Sequence, residues 1–267
     1  MRRRGRWTAR LAAGLLTLLT AGHPGAVSAA PGAAPLKRAD LPPILTQGLT
    51  VAYDFTPGGQ VLRDISGRGL DATLGSGPQA DGSDPVWAGR TLRFDGQDDY
   101  VRAPLSTPFD RDFTSYVVVR FDQVQPLVGT PLSFGSARSN LPYLIVYKRR
   151  NDPLWALYYN TDVHEQSAQG VLPEATKGFV LLALKRRGAQ FELAEVGSRQ
   201  ALTLPVKGPL GVTHKTLGAN LRQVLSSVAR VDLAWQHDLN YATSAAQDQA
   251  TWQALRALLG PRGIELR

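Results

Sequence analysis

The residues best suited to touching a ligand fall in one aromatic stretch. Trp155, Tyr158, Tyr159 and Asn160 sit within PLWALYYN, and Tyr143 and Tyr147 within PYLIVYK just before it. Exposed aromatic faces beside an amide suit a sugar ring, which stacks on one and hydrogen-bonds to the other. The same rings also supply much of the area that cores bury. In strict strand alternation Trp155 and Tyr159 face one way and Tyr158 the other, so one set must be core. Trp155 and Tyr159 are the expected stacking faces, with Asn160 as a directional hydrogen-bond partner. A second group, Asp64, Asp95, Asp98 and Asp99, offers the oxygen ligands that calcium takes, as do Asp54 and Asp71. Aspartates next to glycine also cap turns by bonding their own backbone.

Bond-breaking chemistry has less support. Glycoside hydrolysis needs two carboxyls, ~5–5.5 Å apart for retention or ~6.5–9.5 Å apart for inversion. Glu192 and Glu195 are separated by an odd spacing of three, which points them to opposite faces of a strand. Glu165, in DVHE (162–165), is the other acid of interest. No Gly-x-Ser-x-Gly elbow is present. The histidines are scattered, without a metal-ligand pair at i, i+2 or i+4; His164, His214 and His237 read as surface or turn residues. Gly67 to Ala72 matches a dinucleotide fingerprint in letters but lacks the strand–turn–helix context that makes a phosphate site. The absence of cysteine excludes a disulfide scaffold, a thiolate zinc site, an iron–sulfur cluster and a cysteine nucleophile. No catalytic residue is assigned and no cofactor is required beyond one possible structural calcium.

Short runs rich in Val, Tyr, Phe and Trp must position these groups. They include LTVAYDF (49–55), TLRFD (91–95), FTSYVVVRFD (113–122), PYLIVYK (142–148), PLWALYYN (153–160), GFVLLALKRR (178–187), AQFELAEV (189–196) and SVARVDLAW (227–235). Gly, Pro, Asn and Asp separate them at spacings typical of an antiparallel sandwich or barrel. No strand alternates with a long helical pattern, so a parallel α/β sheet is not expected. One helix stands out. Ser244 and Gln247 form a capping box. Trp252, Leu255, Leu258 and Leu259 share one face that buries Trp252, and Gly260 and Pro261 stop the helix.

The first 29 residues have the arginine-rich start, apolar run (Leu11 to Ala21) and small-residue end of a secretory signal peptide, with cleavage after Ala29. The run is too short for the ~20 residues that span a bilayer, so no membrane span is expected after cleavage. Residues 30–47 are Ala/Pro-rich and read as a linker, followed by one domain over 48–267. The formal charge of +8 is largely a property of the signal: five of the thirty basic residues and none of the twenty-two acids lie there, which leaves +3. The remaining basic runs, 148–150 and 185–187, sit at strand ends and read as charged turns, so no nucleic-acid partner is expected.

The order of several segments resembles the concanavalin A-like lectin/glucanase superfamily, in its bacterial secreted, laminin-G-like form. GLTVAYDF (48–55), DISGRGLDATL (64–74), LRFDGQDDYVRAP (92–104), DFTSYVVVRFD (112–122) and LGAN (217–220) follow the order of that family's landmarks. The resemblance spans residues 48–260. It implies an all-β antiparallel jelly-roll sandwich with one short C-terminal helix, and Phe94 and Tyr100 packed between the sheets. It also implies a calcium ion on a loop or sheet edge, although Ala229 and Arg230 replace the acidic pair of the family's closing strand. Related glucanases carry a Glu-x-Asp-x-Glu strand, which this chain lacks. The expectation is therefore a secreted, non-catalytic module that binds a glycan or cell-surface polymer. A carbohydrate-active enzyme with an unusual site, or a structural or protein-adhesion module, is the alternative.

Overall fold

A computed structural model describes residues 34–106, 109–122, 128–136, 139–149, 154–160, 165–171, 177–198, 200–206, 211–221 and 225–267. The expected signal peptide lies outside them. Two eight-stranded sheets form a sandwich. In the first, the order is Ala201–Pro205, Gln190–Glu195, Val180–Arg187, Phe113–Phe121, Arg230–Leu239, Leu92–Asp95 and Val86–Trp87. Leu49–Asp54 completes it by pairing with the last residues of Arg230–Leu239. The second runs Glu165–Val171, Leu154–Asn160, Ser139–Arg149, Val128–Ser136, His214–Leu217, Val101–Pro104, Ala72–Leu74 and Val61–Leu62. All pairings between these strands are antiparallel. The expected all-β sandwich is the observed architecture.

Period-two alternation fills the space between the sheets. Phe94, Val117, Leu144, Leu157, Leu182, Phe191 and Leu217 meet there in one apolar cluster. Phe94 is fully buried, as the LRFDGQDDYV motif implies. Gly218, with φ +81°, lies against it; a Cβ there would collide with the Phe94 ring, so the turn after Leu217 needs glycine on both counts. Tyr100 departs from expectation: it is only half-buried. It precedes the strand Val101–Pro104, whose inward positions are taken by Val101 and Ala103.

The strand Arg230–Leu239 runs four residues further than its apolar lettering suggested. A bulge between Leu233 and Trp235 changes its parity. Val231 and Leu233 join the inter-sheet core, whereas Ala234, Trp235 and Leu239 join a second core on the sheet's other side. Asp238 crosses to the opposite sheet: its carboxylate pairs with Lys215 Nζ at 2.6 Å, and both are buried. Ser106, Ser115 and Gln236 donate to the same carboxylate. Burial works to raise the Asp238 pKa, but Lys215 and the hydroxyl donors outweigh it and hold it below the usual range.

The second core lies under the helix Ala245–Leu259. Its capping box forms as expected: Ser244 Oγ accepts from Gln247 N at 3.3 Å, and Gln247 Oε1 accepts from Ser244 N at 2.9 Å. Leu255 and Leu259 are buried, but Trp252 is only half-buried, with Nε1 donating to the Arg267 carbonyl at 2.9 Å. Gly260 does not end the helical path. It keeps right-handed angles and leads into a 3-10 turn, Gly260–Arg262; Gly263, with φ +83°, makes the reversal. Residues 34–47, expected as a linker, pack into this layer. Leu36, Leu41 and Leu45 are buried in the second core, and Leu36 N donates to Asp54 at 2.8 Å. Arg262 pairs with the same carboxylate at 2.9 Å. Apolar residues spaced along a proline-rich arm suffice to dock it.

Candidate functional site

The strands Ser139–Arg149 and Leu154–Asn160 place Tyr143 opposite Asn160, Ile145 opposite Tyr158 and Tyr147 opposite Ala156. Leu144, Val146, Leu157 and Tyr159 turn into the sandwich. The alternate residues therefore project from the outer face of the second sheet, where they form a separate cluster. Tyr143 and Tyr158 stack, with centroids 5.6 Å apart and planes at 21°. Tyr147 meets Tyr158 edge-on at 6.5 Å. Asn160 Nδ2 donates to the Tyr158 hydroxyl at 3.1 Å, which fixes the amide beside the ring pair. Tyr143, Tyr158 and Asn160 are half-buried, whereas Ile145, Tyr147 and Ala156 of the same cluster are buried.

The small hairpin Asn220–Leu221 and Leu225–Ser226 lies over the same sheet. Ser133 Oγ donates to the Ala219 carbonyl at 2.9 Å, and Thr130 N to the Ser227 carbonyl at 3.0 Å. His214 Nε2 is 2.9 Å from the Leu221 carbonyl. Burial lowers the His214 pKa, so near neutrality the ring is uncharged and its Nε2–H donates to that carbonyl. Three buried oxygens, Thr130 Oγ1, Thr216 Oγ1 and Asn220 Oδ1, have no hydrogen-bond partner among the described residues.

The three expected sugar contacts separate. Asn160 is on the tyrosine face. Tyr159 is fully buried and packs on Phe191 at 5.9 Å, so it is a core residue and no stacking face. Trp155 pairs through its backbone with Lys148 and Gly170, and its side chain lies outside the described residues. The rings that do face outward are Tyr143 and Tyr158. Sequence alternation defined the two sets but held no mark of which faced inward. Glu165 is opposite Asn160 in backbone register, its side chain also outside the described residues.

Of the expected calcium ligands, Asp95, Asp98 and Asp99 come together, with one carboxylate oxygen of each within 4.8 Å of the others. Asp64 is elsewhere. Its two oxygens accept from Ala52 N, Ser66 N, Ser66 Oγ and Leu70 N, and so organise a turn. Asp54 is likewise taken up by Leu36, Thr56 and Arg262. In the acidic group Asp95 accepts from Gln97 N at 2.7 Å, and Asp99 from Asp95 N at 2.6 Å. Burial is the main cause of an Asp99 pKa pushed up to about 7. Oxygen donors on a turn suit calcium, and a bound divalent ion favours the ionised carboxylate.

Lys185 anchors a second buried charge group that the lettering did not disclose. It pairs with Asp248 of the helix and with Glu192 at 3.1 Å. Asp248 also accepts from Tyr116 Oη and Thr243 Oγ1, both at 2.6 Å. These bonds fasten the start of the helix to the first sheet. Glu192 projects toward this group rather than toward the tyrosine face.

No protein-family model matches the chain, and no curated protein sequence does. Solved structures are similar in fold. Trypanosoma rangeli sialidase in complex with 2,3-difluoro-KDN superposes with a TM-score of 0.62 at 15% identity, over 79% of this chain and 33% of that one. The same sialidase in complex with sialic acid gives 0.60 at 15% identity over the same shares. The binding domain of botulinum neurotoxin serotype D gives 0.57 at 9% identity, over 78% of this chain and 52% of that one. The chain thus spans about a third of the sialidase and half of the toxin domain. At such identities the likeness is one of fold.

Proposed function

We propose that this chain is a non-catalytic recognition module of the concanavalin A-like type, exported by its first 29 residues, that binds a glycan or cell-surface polymer. The binding surface in this reading is the outer face of the second sheet. The observation that carries it is the stacked pair Tyr143–Tyr158 with the Asn160 amide held beside it. A ring pair fixed by packing offers apolar area at little entropic cost, and the amide supplies direction. Two of the solved structures similar in fold are a sialidase and a toxin's binding domain, which accords with a carbohydrate-related role. Asp95, Asp98 and Asp99 are the residues that would hold a structural calcium. The register of Glu165 opposite Asn160 favours, as second reading, an enzyme acting on carbohydrate.

A glycan array read beside a reducing-sugar release assay tests both. Single-site affinity of ~1 mM to 1 μM is expected, without release. Tyr158→Ala should weaken binding by about tenfold while leaving the fold intact; Tyr159→Ala should instead destabilise the protein by ~3–5 kcal/mol, as core aromatic truncations do. Binding indifferent to Tyr158→Ala removes this face from consideration. Sugar release that disappears in Glu165→Gln replaces the recognition reading with the enzyme. Neither binding nor release points to a structural or adhesion module.

A further inference from the structure

We infer that a second binding site, specific for the anionic groups of an acidic polysaccharide, lies on the opposite side of the molecule. A cleft of about 580 Å³ opens where the first sheet meets the end of the helix layer. Arg120, Lys177, Arg256 and Arg267 line it, against one acid, Glu265. These cations come from four separate parts of the chain, so folding assembles them; no run in the sequence announces them. Residues 30–267 carry only +3 overall, yet four cations gather at this one cleft, where Asp232 pairs with Arg120.

The cleft is built to hold its cations in place. Arg120 lies 4.8 Å over the Phe179 ring, and Asp232 grips its far edge. Arg256 lies 5.2 Å over Trp252. Guanidinium groups stacked on rings lose little further freedom when they bind an anion. Phe179, Ile264 and Leu266 are buried beneath and give the cleft an apolar floor. Gly178 leaves a wall open, since a side chain there would overlap that of Arg267. The helix ends here with its carbonyls, which carry roughly half a negative charge when unsatisfied. The Leu259 and Gly260 carbonyls, however, accept from Ile264 N at 3.1 Å and Gly263 N at 2.9 Å. Low-dielectric walls on which cations outnumber acids focus the field on such a recess.

A cation rim over an apolar floor matches a sugar ring bearing a carboxylate or a sulfate: the ring covers the floor and the anion meets the guanidinium groups. The recess is short, whereas a nucleic acid needs a basic stripe along its backbone. The inference rests on the proposed function only for the ligand being a glycan; the residues and the face are different.

The test uses the full chain with Lys177→Gln/Arg256→Gln, both exposed positions, and with Tyr158→Ala. Binding is measured by calorimetry to polygalacturonate, dextran sulfate, neutral dextran, polyphosphate and duplex DNA, at low and high salt. Both acidic polysaccharides should bind in a salt-sensitive way. The double variant should lose at least about a hundredfold, which is what two charge-assisted hydrogen bonds are worth, with unchanged thermal midpoint. Charge-keeping Lys177→Arg should retain binding, and so should Tyr158→Ala. The carboxylated and sulfated arms show which anion the recess prefers. Absence of acidic-polysaccharide binding, binding unaffected in the double variant, or a preference for polyphosphate or DNA overturns the inference. Loss of acidic-polysaccharide binding confined to Tyr158→Ala sinks the cleft; a neutral glycan whose binding falls in Tyr158→Ala and holds in the double variant reports on the tyrosine face alone.

Discussion

Lys215→Met tests the polar link between the sheets. In the native protein Lys215 and Asp238 are both buried and 2.6 Å apart. Removing the lysine leaves a carboxylate that Ser106, Ser115 and Gln236 still solvate but no cation balances. Deleting one partner of such a pair costs about 3–5 kcal/mol, a large part of the ~5–15 kcal/mol that folds a domain. Neutralising both partners, as in Lys215→Met/Asp238→Asn, should recover most of that loss, because the expensive species is the lone charge and the amide oxygen still accepts hydrogen bonds from the three donors. Acidity supplies an independent check. The native Asp238 carboxyl is held below the ordinary range, so its stabilisation is present above the unfolded pKa of about 3.9 and fades as pH falls through the lower folded value. In the variant burial acts without Lys215 and raises the pKa. Its penalty is then greatest at neutral pH and shrinks as pH falls and the carboxyl takes up a proton. Urea unfolding of the three proteins across pH gives both results. A single-variant cost below about 1 kcal/mol, or a double variant no better than the single, refutes the reasoning.

Phe94→Ala should cost ~3–5 kcal/mol in denaturant unfolding, and Gly218→Ala should destabilise by pushing on the same ring, so the two losses should not add. Asp99→Asn should stabilise the metal-free protein more at alkaline than at acidic pH. The folded Asp99 carboxyl, at about 7, lies above its unfolded value, so native stability is lost as pH rises through that interval and the amide removes the loss. A thermal midpoint gain of equal size at both pH values contradicts this.

Alternation and turn chemistry made the sandwich legible, and Phe94 and the Ser244 box sit where their letters put them. What escaped were choices that alternation leaves open. Tyr158 and Tyr159 are adjacent and chemically alike, and only the packing of Tyr159 against Phe191 decides which one faces water. The strand through Trp235 was cut short because Gln236, His237 and Asp238 look like a loop. Their place in a sheet depends on Ser115 and Lys215, more than a hundred and about twenty residues away in sequence. The docking of Leu36, Leu41 and Leu45 depends likewise on a helix more than two hundred residues later. The cationic cleft is the extreme case, since each contributing residue is unremarkable among its own neighbours.

The clasp made by Asp54 and Arg262 has a geometric consequence. Arg262 reaches the Ala34 carbonyl at 2.8 Å as well as Asp54, so the first and last described segments lie side by side on the helix layer. A leash, partner domain or fusion tag joined directly before Ala34 or after Arg267 therefore leaves from the same pole. It would stand near the cationic cleft and turn the tyrosine face away, toward whatever the molecule meets. Joining the two ends by a short bridge and reopening the chain at the tight turn at Gly188 would keep both sheets intact. The tyrosine face would then be presented from a circularly permuted chain whose ends lie at the Gly188 turn.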